Sequence, residues 1–170
     1  TTYDADGNLL SEHYDYDIDG EVDYLAEYTY DADGNMLSAT DTDGNSSTYT
    51  YDANGWLVAE SHTSEYDWDG DGIADESSSW SMSYEYDADG NLIMESSEDD
   101  WGSSDSTGYE YDADNNLIAE MDYQDWDGDG EAESVWTYEY DADGNIVAQT
   151  MEEDHDGDGG VDYIAGSTYD

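Results

Sequence analysis

Four acidic stretches hold the residues best suited to chemistry. Each follows D-x-D-x-D-G-x-x-D/E: Asp15, Asp17, Asp19 and Asp23 around Gly20; Asp67, Asp69, Asp71 and Asp75 around Gly72; Asp125, Asp127, Asp129 and Glu133 around Gly130; Asp154, Asp156, Asp158 and Asp162 around Gly159. A hard cation that takes about six to eight oxygens can be wrapped by carboxylates at alternate positions, a sharp turn at a sixth-position Gly, a backbone carbonyl at the seventh and an acid at the ninth. All four loops meet these demands. Magnesium keeps several of its waters and takes fewer protein oxygens, so the pattern points to Ca2+, with at least four sites. The eighth positions, Val22, Ala74, Ala132 and Val161, are all apolar and are expected to anchor each loop on the sheet. A fifth, degenerate stretch at 97–105 keeps Asp99 and Asp105 but has Trp101 where the fifth-position acid belongs.

The elements that must position these loops follow from an internal repeat. The phrase YDADGN and its variants begin at Tyr3, Tyr30, Tyr51, Tyr86, Tyr111 and Tyr140, with a further Tyr-Asp at Tyr169. Successive intervals of 27, 21, 35, 25, 29 and 29 residues make the period elastic. Insertions would break the phase of a helical solenoid, whereas a β-meander houses them in its turns. Upstream of the phrase, Tyr alternates with Thr or Glu, as in Tyr28-Thr29-Tyr30 and Tyr138-Glu139-Tyr140, the period of a half-buried strand. Downstream comes an aliphatic pair such as Leu92-Ile93. Between them Asp-Ala-Asp-Gly-Asn supplies a type I turn followed by a positive-φ bulge position, and Asn115 takes the place of the Gly in one copy. The expected fold is all-β: a repetitive antiparallel meander of about a dozen short strands, extended or coiled, forming one continuous array over residues 1–170. Hairpin turns should line one end and acidic loops the other. The DADGN turns are plain hairpin turns or additional cation sites; the sequence leaves both open.

Composition fixes what the array can meet. The 170 residues include no Lys or Arg, 49 Asp plus Glu and 3 His, for a formal charge of -49. A polyanion gains no counterion release from nucleic acid and is repelled by anionic membrane surfaces, so neither is an expected partner. Leu, Ile and Val together number 18 and Phe is absent, leaving 18 Tyr and 6 Trp to do the packing. There is no Cys, no Pro and no apolar run long enough to span a membrane. Starting at Thr1 rather than Met, the chain reads as a mature product or a window of something longer. Four calcium ions would bring the charge only to about -41, so further cations are expected.

Catalysis is not expected. No nucleophile elbow is present, no basic side chain can hold an anionic substrate, and the carboxylate pairs lie in repeated turns rather than in one cleft. His13, His62 and His155 lack partners at ligand spacing and are expected to face solvent. Trp68 and Trp126 share the second loop position with Tyr16 and His155, where an aromatic could pack on the sheet or meet a neighbouring chain or a sugar. Asn45-Ser46-Ser47 forms a glycosylation sequon.

The acidic loops resemble those of EF-hands, dockerins and thrombospondin type 3 repeats. They depart from the EF-hand at the twelfth position, occupied here by Ala26, Ser78, Trp136 and Ala165 rather than a bidentate Glu, which places them with short structural calcium loops. The YDxxGN phrase resembles the YD repeat of Rhs and teneurin-like proteins, most closely over Tyr30–Val58. That resemblance implies extended β-sheet able to wind into a shell; the Arg frequent after the turn Gly in that family is replaced here by Asn or by Trp56. Together these features describe an extracellular, calcium-binding structural repeat, a subunit or segment of a filament that joins copies of itself or further repeats. Its alternatives are a segment of a large YD-repeat adhesin or toxin-encapsulating shell, or an acidic matrix protein that nucleates mineral.

Overall fold

A computed structural model describes residues 1–70, 72–123, 133–154 and 160–169. Among them are thirteen strands and no helix: β1 (Thr2–Tyr3), β2 (Leu9–Tyr14), β3 (Tyr24–Tyr30), β4 (Met36–Asp41), β5 (Ser46–Tyr51), β6 (Leu57–Tyr66), β7 (Glu76–Tyr86), β8 (Leu92–Asp99), β9 (Ser104–Tyr111), β10 (Leu117–Asp122), β11 (Ser134–Tyr140), β12 (Ile146–Glu153) and β13 (Tyr163–Thr168). Their order in the sheet is their order in the chain, with antiparallel pairing and no crossover. The chain forms two compact units, residues 1–83 with 99–102, and residues 84–98 with 103–170.

The YDADGN phrase builds each hairpin in the same way. In the copy at Tyr30, the Asp31 N–H donates to Asn35 O at 2.9 Å and the Gly34 N–H donates back to Asp31 O at 3.3 Å. Pairing shifts by one residue between Thr29 and Tyr30, the bulge that accompanies such a turn. The position after it needs a left-handed backbone: Gly34 has φ 87° and Asn115, standing in for Gly, has φ 64°. The short turn Asp41–Asn45 repeats this geometry, with Gly44 at φ 86°. So does the stretch expected to be a degenerate calcium loop. There the Gly102 N–H donates to Asp99 O at 3.2 Å, closing a tight turn between β8 and β9, while the Asp100 carboxylate caps the Ser79 N–H at 2.9 Å. It is a hairpin turn and not a remnant of a cation loop.

Within the strands the Tyr-x-Tyr alternation holds. Tyr28 and Tyr30, Tyr49 and Tyr51, and Tyr138 and Tyr140 are half-buried, with Thr29, Thr50 and Glu139 exposed between them. Burial goes little deeper. Ala26, at 3 % exposure, and Ala119, at 8 %, are the buried apolar side chains among the described residues, and no large side chain is fully enclosed. The half-buried tyrosines instead anchor through their hydroxyls. Tyr28 Oη donates to Glu12 Oε1 at 2.9 Å, Tyr109 Oη to Glu95 Oε1 at 2.6 Å, and Tyr138 Oη to Glu120 Oε2 at 3.4 Å. Each Glu sits three residues into the strand before its Tyr, so one repeat is fastened to the next by the same polar contact.

Candidate metal sites

At the first acidic loop, between β2 and β3, Asp15, Asp17 and Asp19 each place one carboxylate oxygen within 4.8 Å of the others. At the second, between β6 and β7, Asp67, Asp69 and Asp75 do the same. Both loops are pinched shut at the base by the backbone, Asp23 N–H to Tyr14 O at 2.9 Å and Asp75 N–H to Tyr66 O at 2.8 Å. The first-position carboxylate then folds the loop back over itself. Asp15 Oδ2 accepts from the Gly20 N–H at 2.9 Å, and Asp67 Oδ2 accepts from the Gly72 N–H at 2.7 Å. At the other end the ninth-position acid holds the second position, Asp23 Oδ2 accepting from the Tyr16 N–H at 2.6 Å and Asp75 Oδ2 from the Trp68 N–H at 2.8 Å. Backbone amides therefore shape a concave set of carboxylates, and the sixth-position glycines provide the sharp turn, with φ 93° at Gly20 and 83° at Gly72.

A further requirement of the loop is absent from the expected pattern. The fourth position also adopts a left-handed backbone, φ 74° at Gly70 and φ 63° at Ile18. Three of the four loops carry Gly there, Gly70, Gly128 and Gly157, whereas the first carries a β-branched side chain. The recurrent D-G-D-G was the visible signal, and Ile18 is the departure from it.

The remaining predicted ligands divide in two. Asp71, Asp125, Asp127, Asp129, Asp156 and Asp158 lie outside the described residues. Glu133 and Asp154 are placed at the bases of the third and fourth loops and linked to each other, Asp154 N–H donating to Glu133 O at 3.1 Å. Asp162 N–H closes the fourth loop onto Glu153 O at 2.8 Å, as in the first two. The third differs, because Glu133 N–H reaches back to Asp122 O at 2.9 Å and the loop begins at Tyr123. The described eighth positions do not anchor their loops: Val22 is 56 % and Val161 50 % exposed and Ala74 is exposed as well, since a turn of this curvature lifts that side chain off the sheet, while Ala132 lies outside the described residues.

The DADGN turns use their first acid differently. In the copy at Asp31, Oδ1 accepts from the N–H groups of Asp33 and Asn35, both at 2.9 Å, and Oδ2 accepts from Asn35 Nδ2 at 2.9 Å. The same bonds recur at Asp4, Asp87, Asp112 and Asp141. In the copy whose final Asn is replaced by Trp56, Asn54 supplies the side-chain amide instead, Nδ2 donating to Asp52 Oδ2 at 3.0 Å. The Asn amide, aided by backbone N–H groups, holds Asp4, Asp31, Asp87, Asp112 and Asp141 below the ordinary carboxylate range; at Asp52 the Trp56 N–H dominates. These carboxylates organise turns, and both oxygens are already engaged.

Aromatic side chains frame the acidic loops. Tyr14 and Tyr16 stack at 6.0 Å with planes 3° apart, and Tyr66 and Trp68 at the corresponding positions stack at 5.7 Å and 12°. Elsewhere one histidine departs from expectation. His62 is half-buried, stacked on Trp80 at 4.0 Å, its Nε2 donating to Glu60 Oε2 at 3.2 Å and its Nδ1 sharing a 2.8 Å hydrogen bond with Ser47 Oγ. Alternation on β6 turns it to the Tyr face. His13 is exposed as expected, and His155 lies outside the described residues.

The model of the RHS Repeat matches residues 3–46 and 30–71. The match covers residues 3–71, and the same YD phrase recurs beyond it at Tyr86, Tyr111 and Tyr140, which supports a YD/RHS-like repeat array. No curated protein matches the sequence. Among solved structures it is similar to the complex TcdB2-TccC3-Cdc42, at 16% identity and TM-score 0.42 over 98% of this chain and 11% of that one. It is also similar to the Photorhabdus luminescens Tc holotoxin pore with the TccC3 mutation D651A, at 14% identity and TM-score 0.40 over 99% and 11%. A porin-like protein from Bacteroides uniformis aligns at 15% identity and TM-score 0.29 over 84% and 57%. The chain spans about a tenth of the length of the two toxin chains.

Proposed function

We propose that this chain is a calcium-stabilised length of an extracellular RHS-repeat wall, a segment of a larger sheet that encloses or displays other domains. The observation that carries the calcium part is the convergence of three carboxylates in each of two acidic loops, at the first, third and fifth positions in one and the first, third and ninth in the other, each loop shaped by its own backbone amides. In a chain with no Lys or Arg, nothing internal neutralises them. Bound Ca2+ would supply the missing positive charge at the loop end of the meander, where unscreened repulsion otherwise pushes neighbouring repeats apart. The wall part is supported by the RHS repeats and by the sheet itself, which orders its strands as they follow in the chain and, among the described residues, encloses almost no core. Further repeats of the same kind are the partner such a sheet accommodates, in preference to a filament of separate subunits. An extracellular setting fits because open, surface loops of this type fill at roughly 10⁻⁴ to 10⁻³ M calcium.

Calorimetric titration tests the calcium proposal. At about 1 mM free calcium, a site with a dissociation constant between about 0.1 and 1 mM contributes roughly 0.4–1.4 kcal/mol to stability, so the two loops described contribute about 1–3 kcal/mol. Calcium should raise the melting temperature well beyond the effect of sodium chloride at matched ionic strength. Asp17→Asn, which keeps an acceptor for the Asp19 N–H, should remove one ion from the stoichiometry, and Asp89→Ala in a hairpin turn should remove none. No saturable calcium uptake, or equal losses from both variants, would refute the assignment.

A further inference from the structure

We propose that the hollow between the Asp41–Asn45 turn and the second acidic loop binds the guanidinium group of an arginine presented by another polypeptide. This goes beyond the calcium and wall functions and does not require either. The hollow has a volume of about 520 Å³ and is lined by Asp43, Gly44, Glu65, Tyr66, Asp67 and Trp68. Two features coincide there. Trp68 is 72 % and Tyr66 43 % exposed, unusual for large aromatics, and their rings stack with planes 12° apart as an aromatic platform. Around that platform stand three carboxylates, in a chain that has no basic side chain to meet them.

The chemistry of the lining selects among ligands. An anion is repelled by the carboxylates. A bare metal ion would use the carboxylates and leave the rings unused, and a neutral sugar would stack on the rings but leave the charge uncompensated. A guanidinium group uses both: it is planar, weakly hydrated, stacks on an indole face and forks its N–H donors onto carboxylates. One backbone detail positions the acid for this. Gly44, at φ +86°, has no room for a side chain because a Cβ there would lie 2.8 Å from the Cβ of Glu65. The glycine lets Glu65 lie flat against the turn at the rim of the hollow. With calcium held by the second loop, Asp43 and Glu65 remain as acceptors, so the two ligands can coexist.

The test uses the full chain in 1 mM calcium and 150 mM salt, titrated calorimetrically with the single-arginine peptide acetyl-Gly-Arg-Gly-amide. Saturable binding is expected, weakened about fivefold by Trp68→Ala and about threefold by Glu65→Gln. The citrulline peptide, isosteric and uncharged, should bind at least about tenfold more weakly. Trp101→Ala removes an equally exposed indole outside the hollow, Trp101 being 78 % exposed, and should change nothing. Equal affinities for the Trp68 and Trp101 variants would mean diffuse attraction to a polyanion only and would overturn the proposal. Equal affinity for the citrulline peptide would overturn it too, showing that the hollow reads shape without charge.

Discussion

Replacing Ile18 by Gly should stabilise the protein. Ile18 holds φ 63°, a left-handed conformation in which an L-residue costs roughly 1–2 kcal/mol and a β-branched one sits at the upper end. Its side chain is 87 % exposed, so the substitution sacrifices almost no buried apolar area. Against the relief stands the extra freedom glycine gains in the unfolded chain, about 0.5–1 kcal/mol. The difference is a net gain of about 0.5–1 kcal/mol, or roughly 1–4 °C in melting temperature for a chain of this size. Thermal unfolding followed by circular dichroism in 1 mM calcium measures it. The reciprocal change, Gly70→Ile at φ 74° in the second loop, should cost at least about 1 kcal/mol. A lower melting temperature for Ile18→Gly, or no cost for Gly70→Ile, would show that the fourth loop position is not held left-handed and would refute the reasoning.

Three other outcomes are expected. The Asp87 pKa is lowered from 3.8 in the fold, so its contribution is present above that value and lost as pH falls through the lower folded value; in EDTA, the stability gap between the natural chain and Asp87→Asn should shrink as pH falls below about 3.8, and a gap that stays constant or widens there would count against the turn role. Tyr28 is shifted the other way, pushed up to about 12 chiefly by its hydrogen bond to Glu12. Its contribution is therefore complete below about pH 10 and lost as pH rises through 12, so the advantage over Tyr28→Phe should vanish across that interval. Gly44→Ala, which forces a Cβ against Glu65, should destabilise by about 1 kcal/mol more than Gly34→Ala, where φ is equally positive but the nearest side-chain atom is 3.8 Å away; equal melting temperatures would contradict the close approach.

The parts of the fold legible in the sequence were those governed by local rules. Tyr-x-Tyr alternation placed the strands, the Gly or Asn of DADGN marked the left-handed turn position, and Asn115 behaved as the substitution implied. What escaped depends on neighbours in space. The Tyr28 to Glu12 and Tyr109 to Glu95 bonds join strands whose residues lie 16 and 14 apart, and only the recurrence of Glu after the aliphatic pair hinted at them. His62 departs from the solvent-facing expectation because its environment comes from three different strands, with Ser47 on β5 and Trp80 on β7. The site was legible as a ligand pattern, since alternate Asp residues need only local curvature to converge. The exchange of Asn35 for Asn54 as amide donor was written in YDANGW, where the loss of the final Asn coincides with the gain of the earlier one.

The fastening of each strand to its sequence neighbour governs how the chain reaches its structure. Every pairing closes a short loop, so assembly proceeds hairpin by hairpin at low entropic cost and without waiting for distant segments. The same economy creates a hazard. Because the phrases at Tyr3, Tyr30, Tyr86 and Tyr140 are almost interchangeable, a strand that skips one repeat still finds a partner with matching alternation and a matching turn. The competing misfolded state is therefore a sheet with one hairpin looped out. The unequal intervals between phrases oppose it, since each acidic loop is cut to the length of its own gap and a skipped repeat leaves the loops out of step.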